Sequence, residues 1–576
     1  MSFGSVKNQV GGVSLPHYPT DIKETSEHRF LISNKGSKTV ELYSPDFDKP
    51  IDSWYFTEVP TGIATSGNYA YITTFETIGK VYFLNLKTGK VEKELTTGSG
   101  ATSPVLSSDG KTLYVLNRFQ STVSEIDLHN GMVINTVKVL REPSCAVISR
   151  DGNYLFVSNY LPAQRADVDT VASCVSVIDL KKMIKIKDIQ LANGSNALRG
   201  MCLSPDGKYI FITHNLGRFQ VPTNQLQQGW MNTSAITVVD AVGLEKLGSV
   251  LLDDPDRGAA GIWGIHCTPD KIVITHSGTH EISVVDYPEM MKKFIAYPDK
   301  PSLDYDLRFL YGIRRRIPLM GNGPRNFVVS NEKAYIPTYF SDTLNVVNLS
   351  DYQVDIHALA PNRIESAADK GEKYFHDAAY CFQGWQSCIG CHPDGRTDGM
   401  NWDLMNDGVG NPKNCKSMLY SHVTPPSMIS GIRESAELAV RKGFSLIQFA
   451  EISEENASCV DEYLKALRPV PSPYLVDGKL SEKAELGKKV FDKLHCGECH
   501  SGIYFTDMKL HRIGEDIEFE KGWDTPTLIE CWRTAPYLFD GRATTMEDVF
   551  EIHKHGIDKK VSKKEVEALA EYVNSL

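Results

Sequence analysis

Two short stretches of this sequence carry chemistry that nothing else in it can. Cys388-Ile389-Gly390-Cys391-His392 and Cys496-Gly497-Glu498-Cys499-His500 each set two thiols three positions apart, with a histidine directly after the second. That spacing is the attachment signature of a c-type haem. Two thioethers fix the porphyrin, and the histidine lies under its iron. Zinc or a redox dithiol is the competing use of such a pair. A zinc site wants a second Cys/His pair at matching spacing, and neither stretch has an obvious one. The sequence therefore predicts haem attachment at Cys388, Cys391, Cys496 and Cys499, with His392 and His500 as proximal iron ligands.

The chain that must position these residues has 576 residues, 41% of them hydrophobic and 23% charged. Those proportions fit a folded protein of two or three domains and exclude a disordered or collagen-like chain. No apolar run is long enough to cross a membrane. The net charge of −11 comes without a basic stripe, which argues against nucleic acid as a partner. The first ten residues show no charged segment followed by an apolar one, so no signal peptide is expected there.

Residues 28–358 carry a repeat. Its clearest copies are Ser107–Asn117, Ser149–Asn159 and Ser204–His214, each an Asp-Gly turn followed by an alternating strand. A second strand ending near Asp follows each copy. Weaker copies lie at Phe30–Tyr43, Tyr69–Leu86, Ile272–Tyr287 and Ala334–Leu349. A period in the forties with strand content predicts propeller blades, here seven. The repeats resemble the YVTN-type β-propellers. In this region His276, His280 and Glu281 could form a metal or substrate site, although ordinary blade-end histidines are the weightier reading. The insertion Asn215–Thr233 is expected to cap one face of the propeller.

The last third is written twice. Ala368–Phe375 matches Ala484–Phe491 ahead of the two haem motifs, and Val460–Leu467 matches Leu569–Leu576 at the two ends. Gly371 and Gly487 fall where two helices could cross closely, since glycine lacks a Cβ. The prolines Pro469, Pro471 and Pro473 stiffen the joint between the halves. The expected organisation is an N-terminal segment (1–27), a seven-bladed propeller (28–358), a first cytochrome c half (359–470) and a second (471–576). The expected fold class is a multidomain chain, an all-β propeller followed by a mainly α dihaem cytochrome c domain.

Phe505-Thr506-Asp507, Asp524-Thr525-Pro526-Thr527-Leu528 and Arg533–Gly541 resemble the C-terminal haem half of bacterial dihaem cytochrome c peroxidases and MauG-like proteins. The first half departs from that pattern, with Thr424-Pro425-Pro426-Ser427-Met428 in place of Thr-Pro-Thr-Leu. The resemblance covers 366–576. It implies two covalently bound c-type haems and admits a calcium ion. It places the second haem's distal ligand after the Pro536–Gly541 turn, where His553 stands, with His555 next in order and Met546 as the alternative. A His/His iron has a lower potential than a His/Met one. For the first haem Met405, Met418 and His422 are candidates; if none binds, that iron is open. The family's acid/base glutamate aligns with Glu451, with Gln448 as competitor.

An open iron can bind peroxide, whereas a filled one mainly passes electrons. The leading expectation is an exported oxidoreductase of the peroxidase/MauG-like type, periplasmic or on the cell surface. One haem activates peroxide or oxidises a substrate, the other relays electrons, and the propeller is a binding platform. A redox partner protein or a small electron donor or acceptor serves it. The alternatives are a pure electron carrier with both haems six-coordinate, and substrate oxidation in the propeller with the haems as acceptors. Trp385, Trp402 and Trp532 are candidates for an electron path. Cys381, Cys415, Cys459 and Cys531 could pair in an oxidising compartment.

Overall fold

The structure is a computed structural model that describes residues 15–75, 77–221, 231–404, 410, 412–514 and 520–576. Seven four-stranded antiparallel sheets follow one another, each built from four consecutive strands. They occupy 19–55, 59–96, 101–138, 143–190, 195–251, 262–318 and 328–358. The propeller starts earlier than expected, because Pro19–Glu24 pairs with Phe30–Asn34 as the first blade's inner strand.

Sequence chemistry explains the repeat. In three blades a serine hydroxyl bonds the turn aspartate, Ser107 to Asp109 at 2.7 Å, Ser149 to Asp151 at 2.6 Å and Ser204 to Asp206 at 2.7 Å. The following Gly110, Gly152 and Gly207 take φ of 68°, 72° and 76°, which glycine adopts without Cβ strain. Middle strands such as Thr112–Asn117 are buried, while outer strands such as Lys90–Thr96 are largely exposed. Neighbouring blades therefore bury their faces against each other, each pair closing its own apolar cluster. Among the described residues no strand is exchanged between the first and last blades to close the ring. Blade one meets blade seven through Phe30 packed against Tyr335, ring centroids 4.4 Å apart and planes tilted by 34°. Asp342 accepts from the His17 and Tyr18 backbone N–H groups at 2.8 Å each. A helix α1 (Tyr287–Ala296) sits within blade six, N-capped by Asp286.

The last third differs from the expected fold. Strands make up 36% of the described residues and helices 19%. Residues 359–576 do not form a mainly α dihaem cytochrome c domain of two tandem cytochrome c folds. Among the described residues they hold six short α-helices: α2 (Ala367–His376), α3 (Ala436–Lys442), α4 (Glu454–Ala466), α5 (Glu482–Lys493), α6 (Met546–Glu551) and α7 (Lys563–Asn574). Irregular chain, single 3-10 turns and two-residue strands fill the rest. The physical reason lies in the stretches around the motifs, which are dense in proline and in left-handed residues such as Asp394, Tyr420, Met428, Glu530 and Leu538. Neither continues a helix.

The duplication survives in three dimensions. α2 crosses α4 at Gly371, and α5 crosses α7 at Gly487. Phe375 meets Tyr463 and Phe491 meets Tyr572, with ring centroids 5.4 Å apart in both cases. A Cβ on Gly487 would lie 1.8 Å from the Ala568 carbonyl oxygen, and one on Gly371 1.9 Å from that of Cys459. Backbone cannot give way there. Gly487→Ala is expected to destabilise the chain by ~3 kcal/mol or more, as an overpacked core does. Denaturant unfolding checks it, and an unchanged midpoint would show that the helices can separate freely.

Candidate haem site

One cavity of about 710 Å³, lined mainly by apolar side chains, is walled almost wholly by residues 359–576. Cys388, Cys391 and His392 are in its wall, and so are Cys496, Cys499 and His500. The structure therefore brings both motifs to one internal space. Each motif histidine is set for iron. His392 Nδ1 donates to the Arg396 carbonyl at 3.0 Å, and His500 Nδ1 donates to the Phe505 carbonyl at 3.1 Å. Such a bond fixes the tautomer and leaves Nε2 bare for a metal. Burial lowers the pKa of both rings, so both are held neutral, the form a metal takes. The residues present fit two covalently attached haems.

The two sides of the cavity differ in what faces the proximal histidine. In the second half His555 is in the wall, and its ring centroid lies 6.4 Å from that of His500. A metal–imidazole bond is about 2.0–2.1 Å, so an iron fits between these rings. Burial, and then the neighbouring His500, push the His555 pKa down to about 4. His553 is placed elsewhere: its Nδ1 accepts from Arg542 Nε at 3.3 Å, and it is outside the wall. Met546 is in the wall but belongs to the packed core of α6.

In the first half no described histidine faces His392. His422 turns away and bonds Asp461 at 2.9 Å, a carboxylate it shares with Arg441. Met418 is in the wall, but its backbone N–H donates to Gly395 at 3.1 Å, on the segment that carries His392. Met405 lies outside the described residues. Gln448 takes the position over the motif. It is 3% exposed, its Nε2 lies 3.4 Å from Cys388 Sγ, and its Oε1 is buried without a partner among the described residues. Glu451 is exposed and outside the wall. The left-handed residues Phe449 and Lys554 mark the same turn in the two halves. Gln448 thus matches His553, and Ala450 matches His555.

The halves meet across a local pseudo-two-fold. The Asn414 N–H donates to the Phe539 carbonyl at 2.7 Å, and the Asp524 N–H donates to the Ile429 carbonyl at 3.0 Å. Each pair is offset from the other by the same register. Trp523 stacks on Phe539 at 4.4 Å, and both line the cavity between the motifs. Sequence reasoning missed Trp523; its place just before the Asp524-Thr525-Pro526 stretch was the only signal. Trp385 and Trp402 pack in a cluster with the propeller's Val171, Phe219 and Met231, and Trp402 also lines the cavity. Trp532 meets Phe119 of blade three at 5.4 Å.

The propeller also supplies part of the wall. Met231 lines the cavity, and the adjacent Asn232 donates to Gln386 Oε1 at 2.7 Å. The insertion between blade-five strands thus docks against the first motif at its C-terminal end; residues 222–230 lie outside the described set. No local sequence signal could reveal a contact made across more than 150 positions. The other expected propeller site is not assembled. Glu281 is held by Arg316 and Arg257, His280 lies 3.1 Å from Asp377, and buried His276 bonds Ala259 and Ser283 at 2.9 Å each. Among the described residues no group of three His, Cys, Asp or Glu is arranged for a metal ion, so no calcium position is identified. No disulfide joins any two of the twelve cysteines, so Cys381, Cys415, Cys459 and Cys531 are not paired. Among the described residues no helix is long and apolar enough to cross a membrane.

Comparison with known proteins fits this picture. Residues 71–172 match a family model described as the cytochrome D1 heme domain. The chain is 28% identical over 272 residues to the hydrazine synthase subunit gamma of Kuenenia stuttgartiensis, covering 36% of this chain and 76% of that protein. It is 26% identical over 216 residues to subunit beta, covering 36% of this chain and 53% of that protein. A solved Kuenenia stuttgartiensis hydrazine synthase chain superposes with a TM-score of 0.53 at 22% identity, over 60% of this chain and 99% of that one, which speaks to the fold alone. These similarities support a haem-associated propeller protein. None of them is to a dihaem peroxidase or a MauG-like protein.

Proposed function

We propose that the chain is an exported redox protein carrying two c-type haems with different tasks. His500 and His555 would hold one haem from both sides, which would suit it to relaying electrons. His392 would hold the other, with no described histidine facing it, which would suit that haem to reacting with a small ligand. The observation that carries this is the pair of imidazoles 6.4 Å apart on one side of the cavity, against Gln448 on the other. A haem held at His392 supplies an iron that binds a small ligand and exchanges electrons with it. The chain's own residues do the rest. Arg396 orients His392 through its carbonyl, Phe444 and Ile447 keep water out, and the Gln448 amide offers both a donor and an acceptor to a bound molecule.

The similarity to two differently named subunits of hydrazine synthase favours a small nitrogen compound as substrate. It favours a role within an assembly of that kind. Peroxide turnover is the weaker reading. Cleaving peroxide needs a group that takes and returns a proton, and an amide such as Gln448 does neither. Gln448→Glu is therefore expected to raise the rate of peroxide reduction at least tenfold, within the range that positioned acid/base groups contribute. A stopped-flow peroxide assay checks this, and an unchanged rate would remove Gln448 from the reacting position.

The proposal is tested by the EPR and optical spectra of the oxidised haem-loaded chain. One low-spin and one high-spin ferric centre are expected, with two thioether-bound haems by mass. Two low-spin centres would leave a pure electron carrier.

A further inference from the structure

The inner strands of the blades surround the propeller's axis, and several of their side chains are only half-buried. Near the end that faces α2, two arginines share one aromatic neighbour. The guanidinium carbon of Arg199 (blade five) lies 4.6 Å from the Trp263 ring centroid (blade six). That of Arg325, on the approach to blade seven, lies 4.3 Å from the same ring and 3.4 Å from Tyr339. Arg325 is 9% exposed, and no hydrogen bond or ion pair joins its guanidinium to a described residue. Arg199 has one partner, the Tyr160 hydroxyl at 3.1 Å. Nε of both is buried and unpartnered.

The carboxylates nearby are engaged elsewhere. Glu372 accepts from Tyr339 at 3.1 Å and lies 3.9 Å from Lys35. Asp394 is held by Arg118 and Arg533. Asp377 pairs with His280. His376 caps the group from α2, and burial, with Arg325 next, pushes its pKa down to about 4, so it adds no charge at neutral pH. Arg325 is buried and Arg199 half-buried. Glu372 lies within electrostatic reach of Arg325 and Asp394 of Arg199, but both carboxylates are shared with other cations, and stacking on an indole offsets only part of the cost of holding these charges away from water. A guanidinium fork matches a planar oxyanion through paired hydrogen bonds.

We infer that Arg199 and Arg325, placed over Trp263 at the mouth of the propeller channel, bind a small planar oxyanion of the nitrate, nitrite or formate kind. The site is separate from the haem cavity, since none of these three residues is in its wall.

Calorimetric titration of the haem-loaded full chain with sodium nitrate, against sodium chloride at equal ionic strength, tests this. Saturable binding of one nitrate is expected, with the Soret band unmoved throughout. Arg199→Gln and Arg325→Gln should each weaken binding at least tenfold, and the double variant should abolish it. Arg325→Lys, which keeps the charge but loses the fork, should fall between. Absent binding, or binding retained in the double variant, overturns the site. Binding that shifts the Soret band and survives in the double variant assigns the anion to a haem. Such a result leaves the two-haem reading standing while removing this one.

Discussion

His555→Ala is expected to convert the second haem from a low-spin to a high-spin ferric centre, while His553→Ala leaves it low-spin. The expectation rests on placement. His555 faces His500 across the cavity at 6.4 Å between ring centroids, and His553 is turned toward Arg542. Loss of the His555 imidazole removes the wall histidine whose ring faces His500; of the other wall residues, Met546 is packed into the core on α6 and His511 bonds Asp507 at 2.8 Å. The effect should be all or none in the EPR spectrum of the oxidised protein. Electron delivery to the first haem should also slow, since a relay works best when its coordination is the same in both oxidation states. Imidazole added to the variant should restore the low-spin signal. A His555→Ala protein that stays low-spin would show that a different group, His553 first, ligates the iron. A His553→Ala protein that turns high-spin would show the same.

What was legible in the sequence, and what was not, follows from how local each signal is. The Asp-Gly turns at Asp109, Asp151 and Asp206 and the alternating strands after them are local, and the seven sheets stand where they predict. The close helix crossings at Gly371 and Gly487 were legible for the same reason, since a glycine in a helical pattern needs a cause. The irregular character of the last third was not, and the expectation of a mainly α domain there failed. Two matching motifs and two matching end helices say nothing about the chain between them. There, prolines and left-handed residues such as Tyr420 and Glu530 keep the backbone irregular around a large cavity. The choice between His553 and His555 hinged on a turn at Lys554, whose left-handed φ of 50° reverses which of two near neighbours points inward. The match of Ala450 to His555 depends on the π-turn Gly443–Ile447, which lengthens the first half relative to the second. The propeller's part in the first haem pocket, through Met231 and Asn232, rests wholly on long-range docking.

That docking is held by charge, and Arg533→Met should loosen it more than any other single change. Arg533 is 6% exposed and sits at the meeting point of the propeller and the second half. Its Nε donates to Glu142 at 3.0 Å, its Nη2 to Asp394 at 2.8 Å, and its Nη1 lies 3.5 Å from Glu530. Arg118 supports Glu142 at 2.7 Å, and Arg396 supports Glu530 at 2.9 Å. Removing the central cation leaves two buried carboxylates, Glu142 and Glu530, and the half-exposed Asp394 each short of a partner. Breaking one such pair costs roughly 3–5 kcal/mol, which is a large share of a domain's whole stability. Burial alone would raise the Glu142 carboxyl, but Arg533 and then Arg118 override it and hold its pKa at about 2. A carboxylate depressed in this way stabilises the folded chain fully above about pH 4.3, its unfolded value. The contribution is lost as pH falls through the folded value. Wild-type protein should therefore keep its propeller docked at pH 4 and release it as pH falls toward 2, whereas Arg533→Met should already be loosened at neutral pH. Calorimetric unfolding would show this as one transition splitting into two. Arg533→Lys, with one point charge in place of a fork, should recover only part of the loss. A single unshifted transition in Arg533→Met would mean that water, not Arg533, balances Glu142, Asp394 and Glu530.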